Sequence, residues 1–457
     1  MKIIQVVHSF LPYTQAGTEI YSYNLAKALS VRNEVFVFFR VNNPKEEEYS
    51  IARTKLETIS CYAINHTFNM CNSFKDTYQD DAIDDRFGSL LDELKPDVVH
   101  IHHLLFLSHG IVDEAKKRGI PVVFTLHDYW LICYRGQMIK DDLSICDGDS
   151  IRACGHCLRY LLRMKRYSLC LYKGLRLMGA IRLIGLLKKP YLMLPYSNPL
   201  RNIQERSNSI KEICSKIDKF IAPSRFMEER SFKWGLPKSK LFFSEYGFDD
   251  RLFDHRLKSE SGVLRFAYMG TLLPMKGIDI LINAFKEIKN PGIKLSIYGK
   301  VFSYAGFEAY PGHLRKITRN DKRIKFEGGY SNHEVKDILR EVDALIVPSL
   351  WLENSPLIIQ EAFLSWTPVI ASNIGGIPEL IKDGINGLLF TAGDKKSLQE
   401  KINYVINNPG ILKIFGQNMP RIKNIRDNAE EIENLYRSLS SGKAGGYQSK
   451  KEVTYAE

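Results

Sequence analysis

Short apolar segments alternate with amphipathic helical segments along both halves of the chain, and this alternation restricts the fold more than any other feature. In the first half, the predicted strands and helices are, in order, Ile3–Val7, Ile20–Leu29, Glu34–Phe39, Asp84–Leu94, Val98–His102, Ser108–Lys117 and Pro121–Leu126. The second half repeats the alternation with Leu264–Met269, Gly277–Ile288, Lys294–Ile297, Ile324–Phe326, Asn332–Glu341, Ala344–Val347, Pro356–Trp366 and Pro368–Ile370. Apolar strands between helices are typical of a parallel sheet that is covered on both faces. The sequence therefore predicts an α/β protein with two doubly wound parallel sheets that face a shared cleft at their carboxyl ends.

The chain has 457 residues, which is enough for two or three domains. We expect a first domain at 1–250 with an insertion at 131–200, and a second domain at 251–425. The linker is predicted near Asp249–Gly262. A helix is predicted at 426–440, and the final segment, 441–457, is rich in Gly, Ser and Lys and is expected to be disordered.

The net charge of +12 would by itself suit a nucleic-acid partner, but its location argues against one. Residues 150–204 contain eleven Lys and Arg and no Asp or Glu, so nearly the whole excess lies in one segment. Residues 2–7 read as a buried strand rather than a signal peptide, and no apolar run reaches eighteen residues. We therefore expect a cytoplasmic protein whose eight cysteines are reduced, with no nucleic-acid partner.

A loop and the helix that follows it in the second half predict an anion site. An apolar strand ends at a Pro-Ser loop, and the helix is expected to begin with Asn354 or Ser355 as its cap and Pro356 as its first residue. Free amides at such a helix start attract a diphosphate. Glu353 precedes the helix, and Glu361 lies roughly 7.5 Å along it from Pro356. Two carboxylates on either side of a diphosphate can hold the hydroxyls of a sugar and of a ribose, which is the shape of a nucleotide sugar.

The Glu-x7-Glu spacing resembles that of the retaining glycosyltransferases of family 4, which have the GT-B fold. Further segments match the family in the expected order: Phe10-Leu11-Pro12 with Ala16-Gly17-Thr18-Glu19, Thr125-Leu126-His127-Asp128, Gly270-Thr271-Leu272-Leu273-Pro274-Met275-Lys276-Gly277 and Gly375-Gly376-Ile377-Pro378-Glu379. Together the matches cover about residues 1–130 and 215–420. The resemblance implies two Rossmann-like domains that face a central cleft, with the helix at 426–440 packed back on the first of them.

The resemblance also implies an activity. We expect a hexosyltransferase-type enzyme that moves a sugar, with retention, from a nucleotide-diphosphate sugar to a glycan or lipid-linked glycan acceptor. The basic, apolar insertion favours an acceptor from cell-surface polysaccharide biosynthesis. In this family the protein mainly orients the reactants and stabilises the charge of the leaving diphosphate. No divalent metal or other cofactor is expected for catalysis.

By the same resemblance, the catalytic residues are His127, Glu353 and Lys276, and the donor-binding residues are Gly17, Thr271, Lys276, Asn354, Ser355, Pro356, Leu357 and Glu361. Glu353 would orient the transferred sugar, and Lys276 would neutralise the diphosphate. The family often has an arginine where Thr271 stands, and Arg225 is a weak substitute for it. His127 would contact the donor sugar as a neutral imidazole, with Asp128 fixing its tautomer. A solvated lysine, a structural histidine and an ordinary turn glycine remain the alternatives for Lys276, His127 and Gly17.

Four cysteines after His127 lie within one stretch of 25 residues: Cys133, Cys146, Cys154 and Cys157. In a reducing compartment such a cluster more often binds metal than forms disulfides. A structural zinc site, an iron–sulfur cluster and unrelated free thiols are the three alternatives.

The segment 158–194 is aliphatic and basic. At helical spacing four basic residues share one face: Arg159, Arg163, Arg166 and Lys173. This face suits an interfacial helix on an anionic membrane, which would place the protein peripherally on the inner face of the plasma membrane. A helical hairpin with solvated charges is the alternative.

Two other function classes are compatible with the predicted fold. A sugar-nucleotide epimerase or a phosphorylase could share it, but we find no cofactor-lysine context for a phosphorylase, and epimerases do not usually carry the Glu-x7-Glu pattern. A catalytically inactive adaptor that is tethered through 158–194 is the third reading, and only Thr271 favours it.

Overall fold

The computed structural model describes residues 1–67, 71, 73–148, 150–159, 198–253, 262–301 and 307–440. The predicted tail at 441–457, most of the predicted membrane segment at 158–194 and most of the predicted linker fall outside these residues. In the part of the chain that the structure describes, no helix is both long and apolar enough to cross a bilayer.

The first half of the chain forms one eight-stranded sheet. Its strands are β1 (Lys2–Val7), β2 (Glu34–Val41), β3 (Ile51–Leu56), β4 (Ile59–Asn65), β5 (Val98–Ile101), β6 (Val122–Thr125), β7 (Lys219–Ala222) and β8 (Leu241–Phe243). They are arranged in the order β3-β4-β2-β1-β5-β6-β7-β8, and every neighbouring pair is parallel except the edge pair β3 and β4. The helices are α1 (Gly17–Leu29), α2 (Asp81–Leu94), α3 (Ile111–Lys117), α4 (Pro199–Lys216) and α5 (Arg225–Trp234). Residues 151–159, inside the insertion, are also helical.

The second half forms a six-stranded, fully parallel sheet. Its strands are β9 (Leu264–Met269), β10 (Ile293–Tyr298), β11 (Ile324–Gly328), β12 (Ala344–Val347), β13 (Val369–Ser372) and β14 (Gly387–Phe390), in the order β11-β10-β9-β12-β13-β14. Its helices are α6 (Ile278–Glu287), α7 (Tyr310–Thr318), α8 (Val335–Arg340), α9 (Leu357–Leu364), α10 (Ile377–Leu380), α11 (Lys395–Asn407) and α12 (Ile411–Gln417). Short 3₁₀ turns occur at Lys75–Thr77, Lys238–Lys240, Asp250–Leu252, Pro274–Lys276 and Asn332–Glu334.

The last helix, α13 (Ile425–Ser440), packs against the first sheet's layer rather than the second. Its apolar side joins the cluster formed by α1 and one face of the first sheet, where Ile432 and Tyr436 are fully buried. Asn428 also accepts a hydrogen bond from Tyr21 of α1 at 2.8 Å. The last described helix thus packs on the half in which the chain begins.

Strand order explains where a site can form. In each sheet, successive strands are added toward one edge, and the chain then returns to the middle and adds the remaining strands toward the other edge. A crevice opens at the carboxyl ends of the two adjacent strands where this direction reverses. In the first sheet those strands are β1 and β5, and in the second they are β9 and β12. The loops that follow β9 and β12 contain Thr271, Lys276 and Glu353.

Both sheets are buried on both faces, as the predicted apolar strands require. Several strands were not predicted from the sequence. The edge strand β3 is exposed at all four interior positions, so it has no apolar run to detect. The strands β7, β8 and β14 contain only three or four residues each. The predicted start of α9 was wrong by one residue: the helix begins at Leu357, and Pro356, with extended ψ, occupies the cap position.

Candidate active site

The loop between β12 and α9 is held by close backbone packing. Gly376 donates its amide to the carbonyl of Glu353 at 2.7 Å. Gly375 has φ of +61°, and a Cβ there would lie 2.3 Å from the carbonyl oxygen of Glu353. Gly277 likewise approaches Pro348, since a Cβ on it would lie 2.0 Å from that residue's oxygen. Because side chains would clash at both places, these glycines fix where the Glu353 loop sits.

The carboxylate of Glu353 is the centre of a polar cluster. Its Oε1 accepts three hydrogen bonds of 2.7 Å each, from the ammonium of Lys276, the hydroxyl of Ser349 and the indole N–H of Trp351. The ammonium of Lys276 also lies 4.9 Å from the centroid of the Trp351 ring. Lys276 and Glu353, which were predicted to act on different parts of the donor, therefore form a direct ion pair. Neither Ser349 nor Trp351 was singled out from the sequence, although both lie in the same loop.

The second glutamate is in a different electrostatic state. Glu361 lies on the second turn of α9, is 8 % exposed, and has no side-chain hydrogen bond or ion pair among the described residues. Burial raises the pKa of Glu361 to about 7. The pKa of Tyr330 is raised by burial and further by Glu361. A partnerless buried carboxylate beside a helix start is ready to accept hydroxyl groups from a ligand.

Gly17 reaches the second half of the molecule from the first. It begins α1, and a Cβ on it would lie 3.6 Å from the side chain of Leu357 at the start of α9. Glu19 braces this turn, because its carboxylate accepts hydrogen bonds from the amide of Ala16 and the hydroxyl of Thr14. The starts of two helices, α1 and α9, therefore meet across the cleft.

Asn354 and Ser355 have different partners from those predicted. The side-chain amide of Asn354 donates to the carbonyl of Leu126 at 2.7 Å, and its oxygen accepts from the hydroxyl of Ser224 at 2.6 Å. Asn354 thus joins the two halves instead of capping α9. The hydroxyl of Ser355 accepts from Gln360 at 3.0 Å, which also leaves α9 without a side-chain cap.

The His127 ring is enclosed in a hydrogen-bonded chain. Its Nδ1 lies 2.7 Å from the hydroxyl of Tyr246, and its Nε2 lies 3.0 Å from Nδ1 of His102. Burial lowers the pKa of His127 well below its usual value, so the imidazole is neutral. Within the described residues, Nε2 of His102 is buried without a partner. The neutral ring of His127 donates from one of its nitrogens and accepts at the other, and its tautomer sets the direction of the chain.

The prediction that Asp128 fixes the tautomer of His127 was wrong. Asp128 instead accepts from Nε2 of His103 at 3.2 Å, while Nδ1 of His103 accepts from the amide of Leu105. Both ring nitrogens of His127 already have protein partners, so a contact with a donor sugar would have to replace one of them. The role of His127 at the sugar stays a prediction.

Thr271 does not supply the positive charge that an arginine would bring to this position. Its carbonyl accepts from the hydroxyl of Tyr268 at 2.7 Å. Arg225, the suggested substitute, pairs with Glu228 of its own helix and lies 3.8 Å from the centroid of the Phe243 ring. Lys276 is therefore the cation that the structure places beside Glu353.

The four clustered cysteines are half-buried free thiols in the insertion. Burial, together with the nearby Cys133, Cys146 and Cys157, raises the pKa of Cys154 to about 11, so the four lie near one another. Arg135 donates to the sulfur of Cys157 at 3.3 Å. Within the described residues, no group of three or more His, Cys, Asp or Glu side chains is arranged to hold a metal ion. The zinc site stays a prediction.

Comparison with known proteins identifies the family. The family model described as Glycosyltransferase Family 4 matches residues 16–250, just over half of the chain, and the model described as Glycosyl transferases group 1 matches residues 250–422. An uncharacterised glycosyltransferase of Methanocaldococcus jannaschii is 35% identical over 151 residues, which are 33% of this chain and 40% of that protein. The amylovoran biosynthesis glycosyltransferase of Erwinia amylovora is 25% identical over 204 residues, which are 43% of this chain and 49% of that protein. The matches thus span less than half the length of these curated relatives.

Solved structures show the same fold over nearly the whole chain. Sucrose-phosphate synthase of Thermosynechococcus elongatus has a TM-score of 0.69 and 18% identity, covering 96% of this chain and 99% of that chain. HepE of Anabaena, solved with UDP and glucose, has a TM-score of 0.65 and 16% identity, covering 96% and 100%. The two parallel-sheet halves are those of the GT-B fold, as the sequence predicted. The chain belongs to glycosyltransferase family 4.

Proposed function

We propose that this protein transfers a hexose, with retention of the anomeric configuration, from a nucleotide-diphosphate sugar to a glycan or lipid-linked glycan in cell-surface polysaccharide biosynthesis. The arrangement of Lys276, Glu353 and Glu361 around the start of α9 is the observation that carries the proposal. The name of the amylovoran relative supports a polysaccharide pathway. The HepE structure with UDP and glucose supports a nucleotide-sugar donor.

In the proposed complex, the diphosphate lies at the amino end of α9, where unpaired amides and the helix dipole favour an anion. The ribose hydroxyls donate to Glu361, and a hydroxyl of the transferred sugar donates to Glu353. Lys276 stabilises the negative charge that grows on the diphosphate as the sugar–phosphate bond breaks. The acceptor hydroxyl attacks the face of the sugar that the diphosphate leaves and passes its proton to the departing phosphate oxygen, so the proposed reaction needs no enzyme nucleophile. With Lys276 as the cation at the diphosphate, the proposal includes no divalent metal.

The remaining site predictions belong to the same proposal. Gly17 would allow the backbone of α1 to approach the donor closely, and Ser355, Pro356 and Leu357 would surround the diphosphate with the loop and first turn of α9. Thr271 would contribute by its position after β9, without the charge that an arginine would supply. Binding of anionic membrane through 158–194 stays a prediction that the described residues do not reach.

A donor panel would test the proposal directly. The full-length protein, with a detergent extract of lipid-linked glycans as acceptor, would be incubated with UDP-, ADP- and GDP-sugars, with and without EDTA. We expect one donor to release its nucleotide diphosphate, with a product anomer that matches the donor by NMR, and with no loss in EDTA. Glu353→Ala should reduce turnover by about a hundredfold or more while the circular dichroism spectrum is unchanged. A product of inverted configuration or an EDTA-sensitive reaction would contradict the corresponding part of the proposal, and no turnover of any donor would favour the adaptor reading.

A further inference from the structure

The two oxygens of the Glu353 carboxylate are not equivalent. All three of its side-chain hydrogen bonds end on Oε1, and none of the described residues donates to Oε2. The residue is 5 % exposed, so few other groups can reach it. A carboxylate that is held by three donors on one oxygen cannot rotate without breaking them. Its second oxygen therefore points in a fixed direction.

Trp351 makes two contacts in this cluster, through different parts of its side chain. The indole N–H donates to Oε1 of Glu353 at 2.7 Å. The face of the ring lies 4.9 Å from the Lys276 ammonium, within range of a cation–π interaction. The N–H can only donate. One residue thus positions both members of the ion pair.

We propose that Trp351 is a positioning residue for the donor: its N–H fixes Glu353 so that Oε2 receives a hydroxyl of the transferred sugar, and its ring holds Lys276 beside the diphosphate. This inference rests on the proposed function and deepens it. It separates two contributions to binding. The N–H acts on the sugar through Glu353, and the ring acts on the diphosphate through Lys276.

Trp351→Phe separates the two contributions, because phenylalanine keeps an aromatic face and removes the N–H. Calorimetry gives the dissociation constant of a nucleotide diphosphate and that of the matching nucleotide sugar. The measured quantity is the first constant divided by the second. The probes are UDP with UDP-glucose, ADP with ADP-glucose and GDP with GDP-mannose, and the pair that binds most tightly is used. We expect Trp351→Phe to lower the ratio about three- to tenfold, since it removes a hydrogen bond to a charged group, while affinity for the diphosphate alone changes less than about twofold. Trp351→Ala should weaken binding of the diphosphate as well.

Ser349→Ala is the matched control, because it removes another donor from the same oxygen without touching the ring. It should lower the ratio as Trp351→Phe does and leave diphosphate affinity unchanged. In a Glu353→Ala background, Trp351→Phe should have no further effect on the ratio, which a merely structural role would not produce. Thermal unfolding of each variant checks the fold.

An unchanged ratio in Trp351→Phe and Ser349→Ala would overturn the inference, and so would an equal loss in the Glu353→Ala background. If the native protein binds none of the three pairs, the proposed function fails, and the inference fails with it.

Discussion

At the scale of single residues, the two glutamates of the Glu-x7-Glu pattern differ in their hydrogen-bond partners, because their surroundings differ. Glu353 is paired with Lys276 and accepts from two further donors, so its carboxylate is fixed in direction. Glu361 is buried with no partner among the described residues, and its pKa is raised to about 7. The chain spacing alone does not distinguish the two carboxylates.

Donor affinity should depend on pH through Glu361. The ionised carboxylate accepts hydroxyl hydrogens, and because burial raises its pKa to about 7, it takes up a proton as the pH falls through that value. We expect affinity for the nucleotide sugar to fall roughly tenfold between pH 8 and pH 6, the change in the ionised fraction of such a group. Calorimetry at several pH values measures it. The nucleotide sugar is the right probe, because the terminal phosphate of a free diphosphate titrates near pH 6.

Glu361→Gln is the control for this experiment. The amide does not titrate, so its weaker affinity should be nearly independent of pH over the same range. A pH dependence that survives the substitution would mean that another group is responsible.

The His127 chain leads to a stability prediction. Tyr246→Phe removes the hydroxyl that is hydrogen-bonded to Nδ1 of His127 and leaves a buried ring nitrogen without a partner. We expect a loss of about 1–3 kcal/mol in the free energy of unfolding, measured by urea denaturation. Tyr13→Phe is the comparison, since Tyr13 is 63 % exposed and its hydroxyl removal should change stability by less than about 0.5 kcal/mol. Equal effects of the two substitutions would contradict the hydrogen-bonded arrangement.

At the scale of elements, backbone amides at the start of a helix in one half donate hydrogen bonds to a side chain of the other half. The carboxylate of Glu379, in α10, accepts from the first two amides of α5, those of Arg225 and Phe226, at 2.8 and 2.5 Å. Asn354, which precedes α9, makes a second connection, to the carbonyl of Leu126 just after β6. Neither contact is visible in local sequence.

Loss of the Glu379 contact should destabilise the protein. Glu379→Ala leaves the two α5 amides without their acceptor, and removing such a helix cap costs about 1 kcal/mol. A fall in the urea midpoint would measure it. Glu400→Ala, at an exposed position on α11, is the control and should leave the midpoint unchanged. If the two variants behave alike, the contact across the cleft is not maintained in solution.

Metal analysis decides the prediction for the cysteine cluster. The spacing of the four thiols predicts about one zinc ion per chain in protein purified without chelators. Binding would require the half-buried thiols to close into a ligand set that the structure does not form. Cys154→Ser should lower the zinc content and the thermal midpoint together, whereas Cys61→Ser, at a buried cysteine of β4, should leave the zinc content unchanged. Zinc near zero in the native protein would discard the prediction.

At the scale of the whole molecule, the switch points of the two sheets bring the functional loops together. The loops after β9 and β12 supply Lys276 and Glu353, and the loop after β6 supplies His127. Helix α13 closes the architecture by covering the first sheet's layer. Helix α13 therefore stabilises the half in which the chain begins.

Truncation tests this arrangement. Ending the chain before Ile425 would expose the face that α13 covers, and would lose five buried apolar side chains: Ile425, Ala429, Ile432, Leu435 and Tyr436. At about 1.5–3 kcal/mol for each large side chain, the loss approaches the whole stability of a typical domain. We expect no cooperative thermal transition and rapid proteolysis. Ending the chain after Ser440 keeps every described contact of α13 and should preserve the transition.

The sequence by itself determined the α/β class, the two parallel sheets and the loop that carries Glu353, because burial of a strand on both faces requires a continuous apolar run that can be read locally. It also predicted Lys276 and Glu361 as members of one site, through the resemblance to a family. The edge strand β3 was missed because only one side of it is paired, so its residues carry no such pattern.

Only the tertiary structure decided how these residues are paired. Which oxygen of Glu353 is saturated, that Asn354 reaches across the cleft, and that His103 rather than His127 holds Asp128 all depend on contacts between segments far apart in the chain. Hydrogen bonds act over about 3 Å, so a partner is known only when the fold has placed it. Local sequence records the tendency of a residue to be buried, and it does not record which distant group will meet it there.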